Sequence, residues 1–315
     1  MFTITLARLG ASALIAATGA AHPPVLSAGA ITGPIKINTK THSVMTTKFD
    51  IQFGNATTNK PSDPERIDLL TWKNHKGIKS PNLAVRGGSY CNGDALESWG
   101  QSYGSTEGQQ PYLIVGGSTG TWKSPASGQV VIKTNTPKTC GTHIPMTTTY
   151  TFYGAGAKVN EIKVSRTVPF GTHHYANPSQ EGLRMYVPRL SLATYSQVIY
   201  PDKNEKVATS ALCDNCTPLG PSAWGGRWFA DNNPSDNSGL LVLRSKTDQR
   251  KSELEIDEDG LSASNNTAID LPQPAGGWKS TITEVEYLCF YDSATWPLSK
   301  RRAGHTVTLP AGCGP

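Results

Sequence analysis

Histidine, arginine, tyrosine and glutamate recur in this 315-residue sequence in a combination that can move protons and hold an acidic ligand. His143, His173 and His174 are groups that take up or release a proton near neutral pH, and the Tyr186 phenol can act in the same role. Arg166, Arg184 and Arg189 carry guanidinium forks that match a carboxylate geometrically. Glu97, between Leu96 and Trp99, supplies a carboxylate in an apolar setting. These types suit β-elimination from a uronic acid. An arginine neutralises the uronate carboxylate, a base removes the C5 proton, and an acid protonates the departing oxygen. Trp99, Trp224 and Trp228 offer flat faces on which the C–H face of a pyranose can stack. The same groups also permit two other reactions. Glu97 or Glu181 with His174 could serve an epimerase, and Glu97 with Glu181 could serve a hydrolase if their carboxyls stood about 5 to 9 Å apart. Each residue has a plainer alternative as well: an exposed loop for His173 and His174, surface ion pairs for the arginines, core packing for the tryptophans.

The elements that would position these groups are strands. Residues 147–153 and 159–166 flank a Gly154-Ala155-Gly156 turn and read as a β-hairpin. A loop bearing His173 and His174 follows, then two further strand-like runs, 183–187 and 190–200. Phe49, Ile51 and Phe53 alternate with polar residues, so one face of that strand is buried. Residues 239–244 form a buried strand, 252–257 an edge strand, and 281–291 a long strand. Helical periodicity is absent. The glycine pairs within 85–125 open no helix and precede no Gly-Lys-Ser/Thr, so they are not a phosphate-binding loop. About a dozen strands or more exceed a simple immunoglobulin sandwich. The expected fold is all-β: a large antiparallel β-sandwich of two wide sheets, or alternatively a jelly roll. With no linker and no repeat, residues 22–315 read as a single domain.

Composition agrees with this. Charged residues make up 17% of the chain, while glycine (31) and proline (22) are plentiful, as short strands joined by many turns require. Residues 1–21 read as a signal peptide, with Arg8 as its charge, residues 9–17 as its apolar core, and cleavage after Ala20, Ala21 or as late as Ala30. The mature protein is then expected to be secreted and free of the membrane. Six cysteines fit an oxidising compartment, and the preferred pairing is Cys91–Cys140, Cys213–Cys216 and Cys289–Cys313. Cys213 and Cys216 lack both thioredoxin-like surroundings and a second zinc-ligand pair. Asn55, Asn215 and Asn265 head glycosylation sequons. The net charge of +5 falls by one once Arg8 is removed. A mild positive balance is compatible with an anionic polysaccharide. The basic residues are scattered apart from Lys300-Arg301-Arg302, which argues against nucleic acid as a partner. The acids of 253–259 lack EF-hand spacing, so a structural Ca²⁺ has no support, and no metal or cofactor is expected.

One stretch resembles a known family. The run Thr149-Tyr150-Thr151-Phe152, residues 159–164, and Phe170-Gly171-Thr172-His173-His174-Tyr175 is similar to the middle of galactose-mutarotase-like proteins. The resemblance covers about 30 residues of the chain. The family's Asn-His-Tyr-Phe-Asn-Leu pattern is represented by His174-Tyr175-Ala176-Asn177. The resemblance implies a β-supersandwich, a scaffold also used by polysaccharide lyases and by accessory domains of glycoside hydrolases. It therefore implies a glycan ligand.

Overall fold

Alternation between apolar and polar residues, rather than helical spacing, decides how this chain folds. The computed structural model describes residues 35–53, 67–73, 79–80, 88–91, 94–97, 101–102, 113–115, 119–124, 128–135, 142–144, 146–169, 183–186, 194–212, 219–220, 222–245, 252–256, 258–259, 264–265, 267–271 and 280–315. Within them helical structure is limited to two short 3-10 turns, Ala157–Asn160 and Leu298–Lys300.

Strands β1 (Ile35–Asn38), β2 (Ser43–Thr46), β3 (Phe49–Phe53), β4 (Ile67–Trp72) and β5 (Lys79–Ser80) form one sheet in that order. Next come β6 (Gly88–Cys91), β7 (Asp94–Glu97), β8 (Gln101–Ser102), β9 (Leu113–Val115), β10 (Thr119–Lys123), β11 (Gln129–Asn135), β12 (Thr142–Ile144), β13 (Met146–Phe152) and β14 (Glu161–Pro169). The chain continues with β15 (Leu183–Tyr186), β16 (Gln197–Pro201), β17 (Val207–Ala211), β18 (Trp228–Asn233) and β19 (Ser238–Arg244). It closes with β20 (Glu253–Glu255), β21 (Glu258–Asp259), β22 (Ser264–Asn265), β23 (Ala268–Leu271) and β24 (Thr281–Tyr291). A nine-stranded sheet runs β10-β11-β13-β14-β24-β19-β18-β16-β17, and a four-stranded one β20-β23-β15-β8. Pairing is antiparallel throughout except between β9 and β12, which run parallel. The fold is thus the all-β, wide-sheet sandwich expected from the alternation.

The nine-stranded sheet is apolar on both faces. On one face Val130, Ile132, Tyr150, Phe152, Ile162, Val164, Leu240, Val242, Leu288 and Phe290 join a core that the first sheet supplies with Val44, Phe49, Ile51, Phe53, Leu70 and Trp72. Phe49 and Trp72 meet Phe290 with ring centroids 4.9 and 5.8 Å away, and Phe53 meets Tyr150 at 5.0 Å. Burying each such aromatic contributes about 1.5–3 kcal/mol. The intervening residues Ile199, Trp228, Ala230, Leu241, Leu243, Tyr287, Cys289 and Tyr291 face the other way. They would be exposed to water if the chain ended at β24.

The segment after β24 covers them. Trp296 stands edge-on to Tyr291 (4.8 Å) and Trp228 (5.9 Å), and its indole N–H donates to the Thr308 carbonyl at 2.7 Å. The Arg301 guanidinium lies 4.9 Å from the centres of both the Tyr291 and Trp296 rings. It donates to the Asn232 side chain and the Asn237 carbonyl, each at 2.7 Å. The Cys289–Cys313 disulfide, with a Cα separation of 5.7 Å, fastens the far end of the segment, in the pairing expected. Gly312 is left-handed (φ 80°), and a Cβ there would sit 2.0 Å from the Ala157 carbonyl oxygen, so only glycine fits. Beyond it, the Gly314 N–H donates to Glu161 Oε2 at 2.5 Å, and Lys158 Nζ donates to the Gly314 carbonyl.

Two measurements follow from this strap. Replacing Cys289 and Cys313 with alanine opens a link spanning 24 residues and should lower stability by about 3 kcal/mol. That appears as an earlier urea midpoint; an unmoved midpoint would show that the strap contributes nothing. The second concerns Glu161, which is buried. Desolvation holds its carboxyl above the ordinary range, partly offset by the Gly314 N–H and Lys158. Because the folded value exceeds the unfolded one, the stability Glu161 contributes is full below the unfolded value of about 4.3 and is lost as pH rises through the folded value. Relative to Glu161→Gln, the natural protein should therefore lose stability from pH 4 upward in urea titrations. A relative gain over that range refutes the assignment.

Candidate functional site

The apolar face shared by the two large sheets does not stay apolar along its whole length. On β14 the inward positions read Ile162, Val164, Arg166; on β24 Phe290, Leu288, Glu286, Glu284; on β19 Leu240, Val242, Arg244. The three strands are neighbours, in the order β14-β24-β19. Their register places Arg166 opposite Glu284, and Arg244 opposite Glu286. Thr148 of β13, also buried, extends the row beyond Arg166.

The ion pairs form diagonally rather than straight across. Arg166 Nη1 donates to Glu286 Oε2, and Arg244 Nη2 donates to Glu284 Oε2 at 3.4 Å. None of the four residues exceeds 2% exposure. Glu286 keeps its second oxygen, Oε1, buried without a hydrogen bond. These four side chains carry two positive and two negative formal charges. Desolvating such pairs costs as much as, or more than, their mutual attraction returns, and apolar residues of similar size would serve stability as well or better. The cluster is therefore poorly explained by folding alone. Chemically it offers guanidinium groups that can engage an anionic ligand and two carboxylates at alternate positions of one strand, with Cα atoms about 7 Å apart.

Of the expected site residues, Arg166 belongs to this cluster. It is buried and ion-paired with Glu286. Trp224 and Trp228 are corrected: at 2% and 4% exposure they are core residues and present no face to a sugar. The Trp224 indole N–H donates to the Trp228 carbonyl, and Trp228 is covered by Trp296. Arg184 and Tyr186 lie on β15, where Arg184 is opposite Gln101 and Asp270, and Tyr186 opposite Ala268. His143 is on β12 opposite Ile114, and Glu97 ends β7 opposite Gly88. Trp99, His173, His174, Glu181 and Arg189 fall outside the described residues, as do Cys140, Cys213, Cys216, Asn55 and Asn215. Cys91 is on β6, and Asn265 on β22 opposite Glu258.

Glu284, Glu286 and Arg244 are the cluster members that reading the sequence did not single out. A signal for the two glutamates was present. In Glu284-Val285-Glu286-Tyr287-Leu288-Cys289-Phe290 they occupy the same alternation phase as Leu288 and Phe290. Among the described residues, one trio of side chains has metal-ligating atoms close together: Glu161, Cys289 and Cys313. Its two sulfurs are joined in the disulfide, so it is not a metal centre. Also among the described residues, no helix is long and apolar enough to cross a membrane.

No protein-family model matches the chain. No curated protein sequence matches it either. Solved structures do. An α-N-acetylgalactosaminidase from Bifidobacterium bifidum matches at 11% identity and a TM-score of 0.49, over 79% of this chain and 36% of that one. A heparan sulfate lyase from Pedobacter heparinus matches at 7% identity and a TM-score of 0.33, over 79% and 30% respectively. The protein HI1317 matches at 8% identity and a TM-score of 0.40, over 79% of this chain and 92% of that one. The chain thus spans about a third of the length of the first two. At such identities none of them assigns a reaction or a residue here.

Proposed function

We propose that this chain is an exported carbohydrate-active protein that cleaves a uronic-acid-containing polysaccharide by β-elimination. The observation that carries the reading is the Arg166–Glu286 and Arg244–Glu284 cluster, a buried charged patch on a face that folding would fill with apolar side chains. In this reading the guanidinium of Arg166 or Arg244 exchanges part of its pairing with glutamate for the uronate carboxylate. That withdraws charge and acidifies the C5 proton. A base takes that proton, the C4=C5 double bond forms as the C4–O bond breaks, and an acid returns a proton to the leaving oxygen. His143, His173, His174, Tyr186 and Glu97 are the proton carriers assigned to these two steps, with Arg184 and Arg189 along the substrate.

A second reading rests on Glu284 and Glu286 themselves. Two carboxylates at alternate positions of β24 have a spacing compatible with acid and base roles in glycoside hydrolysis. A third is glycan binding without cleavage.

The test uses a paired replacement. Arg244→Ala alone takes one charged partner from a buried glutamate, at about 3–5 kcal/mol, and would confound activity with folding. Arg244→Met combined with Glu284→Met removes both charges and should keep the urea midpoint at or above that of the natural protein. Release of ultraviolet-absorbing unsaturated ends from a panel of uronate polymers should nevertheless fall about a hundredfold or more. Cleavage at the natural rate by a folded double variant removes the cluster from the mechanism. If the natural protein yields no unsaturated product but frees reducing ends from neutral glycans, hydrolysis replaces elimination. Binding with neither product leaves the third reading.

A further inference from the structure

The triplet Lys300-Arg301-Arg302 was the one concentration of positive charge in the sequence, and the structure divides it. Arg301 turns inward onto Tyr291 and Trp296, while Lys300 and Arg302 are exposed. They do not stand alone at the surface. The β16–β17 hairpin brings its tip, residues 202–206, alongside. The Val207 N–H donates to the His305 carbonyl and the Gly304 N–H donates to the Val207 carbonyl, both at 2.9 Å. Lys206 is bridged to Thr306, and its ammonium donates to the Thr306 hydroxyl at 3.0 Å. A turn closes from the His305 N–H to the Arg302 carbonyl, and the Thr308 N–H reaches the Lys300 carbonyl.

The result is an exposed strip where the hairpin tip, with Lys203 and Lys206, adjoins the strap, with Lys300, Arg302 and His305. Two acids lie within it. Asp202 has its Oδ1 engaged by the Asn204 and Lys206 N–H groups, each at 2.8 Å, and the two acids stand against four lysine and arginine charges. Glu205 is exposed. Val207, at the root of this strip, belongs to the core on the strap side of the nine-stranded sheet, whereas Arg166 and Arg244 are on its other side. The strip is therefore separate from the charged cluster.

We infer that this strip, Lys203 and Lys206 on the hairpin with Lys300, Arg302 and His305 on the strap, is a docking surface for an anionic polysaccharide. Its ligand groups are sulfate or carboxylate. The choice of ligand rests on the glycan reading above; the surface itself does not depend on catalysis. Ammonium and guanidinium groups interleaved with Asn204, Thr306 and Ser299 provide donors suited to the oxygens of a charged, hydroxyl-rich chain. Binding of single-stranded nucleic acid would call for exposed rings to stack on, and the nearby Trp224 and Trp296 are buried. A membrane-surface site would call for an apolar stripe; among the described residues the one large exposed apolar side chain is Leu298.

The test is elution from immobilised heparin and immobilised polyuronate in a salt gradient, together with titration of the soluble polymers. The full chain is used throughout. Lys203→Ala/Lys206→Ala/Arg302→Ala, three changes at exposed positions, should elute at lower salt and bind about tenfold more weakly. Lys40→Ala/Lys123→Ala/Lys133→Ala, an equal charge loss at exposed positions elsewhere, should elute with the natural protein. An equal loss in both variants, or in neither, overturns the assignment. So does strip-dependent binding that is tighter to phosphatidylserine vesicles or to duplex DNA than to either polysaccharide. Cleavage of a short uronate oligosaccharide is read in parallel and should be unaltered by the strip variant. If the natural protein cleaves nothing, the elimination reading fails while the elution result still decides the docking surface.

Discussion

Everything in this molecule turns on the requirement that β24 bury both of its faces. It sits in the middle of the nine-stranded sheet, paired with β14 on one side and β19 on the other. One face, through Leu288 and Phe290, is sealed by the first sheet. The other, through Tyr287, Cys289 and Tyr291, needs a separate cover, and the segment immediately following provides it. From Glu284 onward the strand is largely buried, and a charged side chain there is not free of consequence. The glutamates at its first half therefore draw in partners, Arg166 from β14 and Arg244 from β19.

This explains why the sheet has two distinct polar systems on opposite sides. On the first-sheet side, the Arg–Glu cluster is made of side chains meeting side chains and leaves Glu286 Oε1 without a hydrogen bond. On the strap side, Arg301 is held by Asn232, the Asn237 carbonyl and two aromatic rings. Glu161 is held by Gly314 and Lys158. The strap contacts lean on backbone groups and hold a segment in place. The cluster's ion pairs instead join side chains of three neighbouring strands, β14, β24 and β19.

The fold was more legible in the sequence than the site, and the physics of each tells why. Strand identity is written locally. Phe49, Ile51 and Phe53 alternate, and the span 281–291 is a run rich in β-branched and aromatic residues. Side-chain pairing is not local: the cluster's ion pairs join residues 120 and 40 positions apart. Arg166 was recognisable as a chemically capable residue, but nothing near it in sequence announces Glu286. The aromatic run holding Trp224 and Trp228 misled for a related reason. A flat indole face reads equally as a sugar platform or as core, and Trp228 is roofed by Trp296, which arrives from the strap. Among the described residues, the Cys289–Cys313 link was readable as a contact between distant positions, because cysteines in an even count restrict their own partners.

The strap also changes what a cut in the chain would mean. Its exposed corner, Arg302 to His305, is the kind of polar turn that proteases enter. Cleavage there would release neither side. Trp296 and Arg301 anchor the stretch before it, and the disulfide at Cys313 anchors the stretch after it. A nicked molecule would remain one covalent body with its roof in place. For a protein read as working outside the cell, where proteases are the common hazard, this converts a severed backbone into a tolerated one.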